Sequence, residues 1–234
     1  MKIGICGFGV VGQAVYSAIL QNTSSTCAIY DKYKDIGSIR EVSNSDYLFI
    51  CLPTPTINGH QDIGEIKGLL SRLHNFNGIY VIKSTLLSID ELNIDQRKVV
   101  SNPEFLNQAR AEDDFKNQRH VVLGGDRDNT ALVEQLYRHY FNLKNEPEFI
   151  HCSIEEAINL KYVHNVYHAY KVLFWNHIFK ETGNHRRIFD LYSRLTGNSN
   201  EMAAIGLDGK LGYGGACFPK DVGAWASKHP GALP

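Results

Sequence analysis

Short apolar runs alternate with amphipathic stretches along the first two-thirds of the chain. The runs over 2–6, 27–30, 47–52, 78–82, 98–100, 120–123 and 148–151 have the length and the β-branched content of buried strands. Between them, apolar positions recur at helical spacing over 13–20, 63–74, 88–92 and 129–141. Strand and helix in alternation predict an α/β fold, a doubly wound parallel sheet of Rossmann type. Beyond residue 152 the pattern changes. Ser153-Ile154-Glu155-Glu156 reads as a capping box, with Ser153 as N-cap and Glu156 three residues on. From there to about residue 181 there is no proline or glycine, and Ile154, Ile158, Tyr162, Val166, Ala169 and Leu173 trace one stripe. The pattern predicts a domain over 1–152 and a smaller all-helical domain over 153–234, built on this long helix.

The first strand runs into Gly7-Phe8-Gly9-Val10-Val11-Gly12 and then into a helix. A G-x-G-x-x-G match alone is weak, but strand, turn and helix supply the context a dinucleotide needs. Gly7 makes the turn, Gly9 lets a pyrophosphate approach the backbone, and Gly12 lets helix and strand pack closely. Asp31 ends the second strand, where a carboxylate bonds the adenosine ribose and repels a 2′-phosphate. The expected cofactor is therefore NAD, with Lys32 and Lys34 just beyond arguing slightly the other way. Polar clusters close three later strands: Pro53-Thr54-Pro55-Thr56, Lys83-Ser84-Thr85 and Ser101-Asn102-Pro103-Glu104-Phe105. In an open parallel sheet the carboxyl edge is where ligands bind, although proline and hydroxyl residues also serve ordinary turns.

Two further patterns carry candidate chemistry. Near the C-terminus, Gly212-Tyr213-Gly214-Gly215-Ala216-Cys217-Phe218-Pro219-Lys220-Asp221 surrounds one thiol with glycines and follows it with a lysine and a carboxylate. A neighbouring lysine favours the nucleophilic thiolate; the plainer reading is a glycine-rich surface loop. On the long helix, Lys161 and Asn165 stand four apart on one face, with His168 a turn further. The competing reading there is a solvated lysine and asparagine. His164 and His168 have the spacing of a metal pair but lack an evident third ligand, so no metal is expected.

Composition narrows the classes. A formal net charge of -1 argues against nucleic acid and anionic membranes as partners. No apolar run is long enough to span a bilayer, and Met1-Lys2-Ile3-Gly4-Ile5-Cys6 enters a strand without a signal-peptide layout. Five scattered cysteines, Cys6, Cys27, Cys51, Cys152 and Cys217, read as reduced thiols of a cytoplasmic protein.

Taken in order, Gly7-x-Gly9-x-x-Gly12, Asp31, Pro53 to Thr56, Lys83-Ser84-Thr85, Asn102-Pro103-Glu104-Phe105-Leu106, Lys161-x-x-x-Asn165 and the Cys217 segment form a recognisable series. The chain resembles the nucleotide-sugar dehydrogenases, most closely those of the UDP-glucose 6-dehydrogenase type. The resemblance implies NAD-dependent, four-electron oxidation of a sugar alcohol to the uronate through a cysteine thiohemiacetal and thioester. It implies Cys217 as nucleophile, Lys161 and Asn165 as the oxyanion pair, and Asp221 as the carboxylate that positions water and moves protons. Thr85 and Glu104 line the same site, with Glu104 assisting thioester hydrolysis. Phe105, Leu106, Tyr213, Gly214 and Gly215 join Lys161 and Asn165 around the sugar. The cofactor falls to Gly7, Phe8, Gly9, Val10, Val11, Gly12, Asp31, Pro53, Thr54, Thr56, Ser84 and Thr85. Gln108 stands where many members carry a second glutamate.

Members usually continue into another Rossmann-like domain, whereas this sequence ends 17 residues after Cys217 (234 minus 217). Tyr162, Val166, Tyr167, Tyr170, Phe174 and Trp175 ring more than one face of the helix over 154–181, which predicts a homodimer through it, and the resemblance points the same way. Two alternatives stand beside this reading: a two-electron hydroxyacid dehydrogenase of the 6-phosphogluconate type, and an NAD-binding subunit that needs a partner chain.

Overall fold

The computed structural model describes residues 1–19, 26–73, 75–183, 185–197 and 211–231. In chain order its elements begin β1 (Lys2–Cys6), α1 (Val10–Ile19), β2 (Thr26–Tyr30), α2 (Ile39–Val42), β3 (Tyr47–Ile50), β4 (Thr56–Ile57), β5 (His60–Gln61) and α3 (Gly64–Leu70). They continue with β6 (Ile79–Ile82), β7 (Val99–Ser101), α4 (Ala111–Lys116), β8 (His120–Gly125), α5 (Arg127–Tyr140) and β9 (Glu148–Cys152). Among the described residues three helices follow: α6 (Ile154–Thr182), α7 (His185–Thr196) and α8 (Phe218–Lys228). The chain divides into two compact units, Met1–Pro55 with Asp62–Lys161, and Thr56–Gln61 with Tyr162–Pro234.

The first unit is a seven-stranded sheet in the order β2-β1-β3-β6-β7-β8-β9. Strands β3 and β7 are buried along their whole length, as apolar runs covered on both faces must be. Strand order reverses between β1 and β3, which in such sheets opens a crevice at the carboxyl ends. One face packs Ile3, Ile5, Phe49, Val81 and Val100 against Val15 and Ala18 of α1, Phe115 of α4 and Val133, Leu136 and Tyr137 of α5. The sheet is not wholly parallel. β8 pairs antiparallel with β7, with Ser101 opposite Gly124, and β9 then runs parallel to β8. The chain leaves β7 at its carboxyl edge and re-enters the sheet from that same edge, so β8 must run backwards.

Helix α1 begins at Val10, earlier than the apolar spacing indicates, so Gly12 is already helical; the last residue of the predicted 13–20 span, Leu20, lies outside the described residues. Helix α3 ends at Leu70, and His74, the end of its predicted span, lies outside the described residues too. The predicted helix over 88–92 is a single 3-10 turn, Asp90–Leu92. The capping box of α6 forms in both directions: the Ser153 N–H donates to Glu156 at 2.8 Å and the Glu156 N–H to Ser153 Oγ at 3.2 Å.

The second unit gathers the remainder of α6 with α7, α8 and the β4–β5 hairpin. Tyr162 stacks on Trp225 of α8 at 5.5 Å, and its hydroxyl accepts from Gln61 Nε2 at 2.9 Å. Trp175 meets Phe189 and Tyr192 of α7 edge-on, at 5.1 and 5.6 Å. The expected apolar stripe is buried at Ile158, Tyr162, Val166 and Ala169, but Leu173 is exposed and Val172 takes its place. Tyr162, Val166 and Trp175, expected at a dimer contact, are buried within the chain itself, whereas Val163, Tyr167 and Phe174 remain more than half exposed. Among the described residues no helix is long and apolar enough to cross a membrane.

Candidate active site

The turn after β1 is shaped by its glycines. Gly7 has φ +90, and a Cβ there would lie 2.6 Å from the Cys51 carbonyl oxygen. A Cβ on Gly12 would collide with the Gly7 carbonyl oxygen. Gly9, by contrast, has nothing within 4 Å of its Cβ direction, which leaves the backbone open to a ligand. Asp31 closes the turn from β2. Its Oδ2 accepts from the Phe8 N–H at 2.7 Å and its Oδ1 from the Tyr33 and Lys34 N–H groups, each at 3.0 Å. A carboxylate accepts about four hydrogen bonds, so Asp31 keeps room for one ribose hydroxyl. The two lysines beyond it are engaged. Lys32 pairs with Glu65 at 3.2 Å, and Lys34 Nζ donates to the Phe8 carbonyl at 2.6 Å.

Along the carboxyl edge, hydroxyls tie the loops after β3 and β6 together. Thr54 Oγ1 donates to the Thr85 carbonyl and Ser84 Oγ to that of Leu52, both at 2.7 Å. Pro53 is exposed beside them. Thr56, expected at the cofactor, belongs to the second unit, where its hydroxyl donates to the Lys220 carbonyl at 2.7 Å.

Within the first unit the Glu104 loop meets the start of α6. Lys161 Nζ donates to the Glu104 carbonyl oxygen at 2.5 Å and to its Oε1 at 3.1 Å, and stands 5.4 Å over the Phe105 ring. Lys161 is 4% exposed, which sets aside a solvated lysine. Burial pushes the Glu104 carboxyl up, but Lys161, the Leu106 N–H and Lys83 together hold it below the ordinary range. Leu106 packs against the core, and Gln108 lies exposed in a short 3-10 turn. Behind this loop sits a second buried ammonium. Lys83 Nζ donates to Asn102 Oδ1 at 3.0 Å; Tyr137 OH donates to the same oxygen at 2.6 Å; Asn102 Nδ2 donates to the Val122 carbonyl at 2.9 Å.

The second unit holds the cysteine segment. Gly212 and Gly215 take φ +106 and +81, and the Gly212 N–H is bonded to Asn176 Oδ1. Tyr213 is half-buried, Gly214 is exposed, and Cys217 is exposed at the N-cap of α8. A helix N-terminus favours an anionic sulfur. The expected lysine assistance is directed elsewhere, because Lys220 Nζ is paired with Asp221 Oδ1. Asp221 is 1% exposed and accepts from Asn165 Nδ2 at 2.5 Å; Asn165 is 3% exposed. His168 stacks on Phe218, the residue after Cys217, with centroids 6.3 Å apart.

The residues expected to act together therefore fall into two constellations, Glu104 with Lys161 in the first unit and Asn165, Asp221 and Cys217 in the second. Helix α8 was not anticipated, although Pro219 in its first turn is a standard helix-start signal. Asn102 and Tyr137 were missed as polar partners; the available signal was a lysine closing the apolar strand at Lys83.

A family model for the NAD binding domain of the UDP-glucose/GDP-mannose dehydrogenase family matches residues 14–141. A UDP-glucose 6-dehydrogenase of Rhizobium meliloti is 31% identical over 208 residues, which cover 77% of this chain and 45% of that protein. One from Haloferax volcanii is 26% identical over 225 residues, 83% of this chain and 50% of that protein. The chain thus spans about half the length of these relatives. Among solved structures, a UDP-glucose dehydrogenase from Pyrobaculum islandicum superposes with TM-score 0.76 at 20% identity, over 96% of this chain and 63% of that one. A UDP-D-ManNAc dehydrogenase from Pyrococcus horikoshii gives TM-score 0.81 at 16% identity, over 98% of this chain and 65% of that one. These two share the fold. NAD is the cofactor of the matched domain, and the open backbone at Gly9 and the remaining acceptor capacity of Asp31 fit it.

Proposed function

Because this chain belongs to the UDP-glucose/GDP-mannose dehydrogenase family, we propose that it carries the NAD-binding and cysteine-bearing part of an enzyme oxidising a nucleotide sugar. The reaction is the four-electron conversion of the C6 primary alcohol to the carboxylate, with UDP-glucose as the expected substrate type. The single observation that carries the reading is the 2.5 Å hydrogen bond between buried Asn165 and buried Asp221. It joins the helix motif to the cysteine segment, the two most specific parts of the sequence pattern.

NAD, when bound, supplies the hydride acceptor for both oxidations. Between them, the Cys217 sulfur adds to the aldehyde carbon, and the carbonyl oxygen gains the electron pair. Lys161 spends two of its three N–H groups on Glu104, and Asn165 spends one of its two on Asp221. Each keeps a donor, and the resemblance assigns both to that oxygen, where preorganised donors have their largest effect. After the second oxidation the sulfur is held as a thioester. Glu104, kept ionised by its cations, takes a proton from water as the water attacks the thioester carbon; the C–S bond breaks and the thiol returns. Asp221, between Asn165 and Lys220, is the further proton carrier. Phe105, Leu106, Tyr213, Gly214 and Gly215 flank the sugar. Five scattered cysteines suit a reducing, cytoplasmic setting.

The test counts NADH formed per sugar consumed by the purified chain, across UDP-glucose, GDP-mannose and related sugars. Two NADH per sugar is expected, and one would favour the two-electron alternative. Cys217→Ser should abolish uronate formation while leaving NAD affinity unchanged. Near-wild-type turnover in that variant would remove the covalent mechanism. A chain that binds NAD but oxidises no sugar alone would favour the partner-dependent subunit.

A further inference from the structure

A lysine side chain buried in a core is rare unless it is paired, and Lys83 is 4% exposed with no carboxylate bonded to it among the described residues. Its hydrogen-bond partners are both neutral, Asn102 Oδ1 at 3.0 Å and Tyr137 OH at 3.5 Å, and its ammonium lies 5.5 Å over the Phe115 ring. Those contacts hold Asn102, and Asn102 begins the loop that carries Glu104. The Asn102 N–H donates to Ile82 at 2.8 Å and its side-chain amide to Val122 at 2.9 Å, so three strands grip the loop's first residue. The charged and titratable groups around Lys83 are Cys51 after β3, Glu104 in the loop, Lys161 on α6 and Tyr137 on α5. With one carboxylate between two ammonium groups, this buried cluster carries one excess positive charge.

We propose that Lys83 is a positioning residue: its ammonium locks the base of the Glu104 loop through Asn102 and adds the charge that leaves its cluster with Lys161 and Glu104 net positive. Its significance for oxyanion stabilisation rests on the function proposed above; the coupling itself does not. Burial is the largest influence on Lys83 and pulls its pKa down to about 8, with Cys51 and Glu104 pushing it back up and Lys161 adding to the fall. The excess charge is therefore lost within reach of ordinary pH. Above that point the cluster is neutral overall, and an anion near Lys161 loses part of its stabilisation.

The experiment is a pH titration of the whole chain labelled with [ε-13C]lysine and [δ-13C]glutamate, followed by NMR. The Lys83 signal, identified by its loss in Lys83→Met or, where that does not fold, in Lys83→Arg, should titrate near 8 in the wild type. Glu104→Gln should lower that midpoint and Lys161→Met should raise it; Lys83→Met should raise the Glu104 midpoint. Where Lys83→Met does not fold, the two other variants decide alone. A Lys83 midpoint at the ordinary lysine value, or one that neither variant moves, would overturn the proposal. In sugar-dependent NADH formation, Lys83→Met should lower the rate tenfold or more and remove a wild-type decline above pH 8, with NAD affinity unchanged within twofold. A rate and pH profile equal to the wild type's would overturn the positioning role. If the wild type oxidises no sugar, the oxidation reading fails while the NMR midpoints still decide the Lys83 coupling.

Discussion

Replacing Lys83 with methionine exchanges a buried ammonium for an apolar chain of similar length, and it should stabilise the first unit at neutral pH. The fall from 10.5 to about 8 means that folding disfavours the charged form by roughly 3 kcal/mol. Methionine also gives up the bond to Asn102 Oδ1, a loss of about 1 kcal/mol. That oxygen keeps its 2.6 Å bond from Tyr137, so no buried acceptor is orphaned. The net gain is about 2 kcal/mol at pH 7. The sign of its pH dependence follows from proton linkage. The folded pKa lies below the unfolded one, so between about 8 and 10.5 the unfolded chain binds more protons and wild-type stability rises with pH. The penalty is complete below 8 and gone above 10.5, and the advantage of the variant should fade across that window. Urea unfolding of both proteins at pH 7 and pH 10, followed by circular dichroism, measures it. A variant less stable at pH 7, or a gain equal at pH 7 and 10, would refute the charge argument.

Asp31→Ala should weaken NAD binding tenfold or more and narrow the preference over NADP; a charge-assisted hydrogen bond contributes about 1.5–3 kcal/mol, and fluorescence titration with both cofactors checks it. The same change frees the Phe8 N–H, so the loss should exceed that of Asp31→Asn. The exposed groups Val163, Tyr167 and Phe174 are proposed as the contact of a homodimer through α6. Light scattering should then find a dimer that Phe174→Asp dissociates, and a wild-type monomer at high concentration would sink that idea.

Much of the first unit was readable in one dimension because its code is local. A strand buried on both faces is an unbroken apolar run, and the dinucleotide turn needs glycine where a Cβ would strike Cys51 or Gly7. The capping box of Ser153 and Glu156 spans three residues and forms as its spacing indicates. The order Gly7, Asp31, Glu104, Lys161, Asn165, Cys217 by itself points to a family and its cofactor. Pairing across long separations was not readable in this way. Nothing in the residues near Asn165 marks Asp221 as its partner, and nothing near Thr56 marks it as held by the backbone of α8 and not by the sheet edge. The direction of β8 depended on which edge the chain re-entered, a property of the path and not of the strand's composition. Burial decided the rest. Lys83 and Lys161 are lysines of equal standing in the sequence, and only the packed protein shows that both are enclosed, with one held by a carboxylate and the other by two neutral oxygens. Local periodicity constrains each element by itself, whereas the energy of a buried charge depends on everything folded around it.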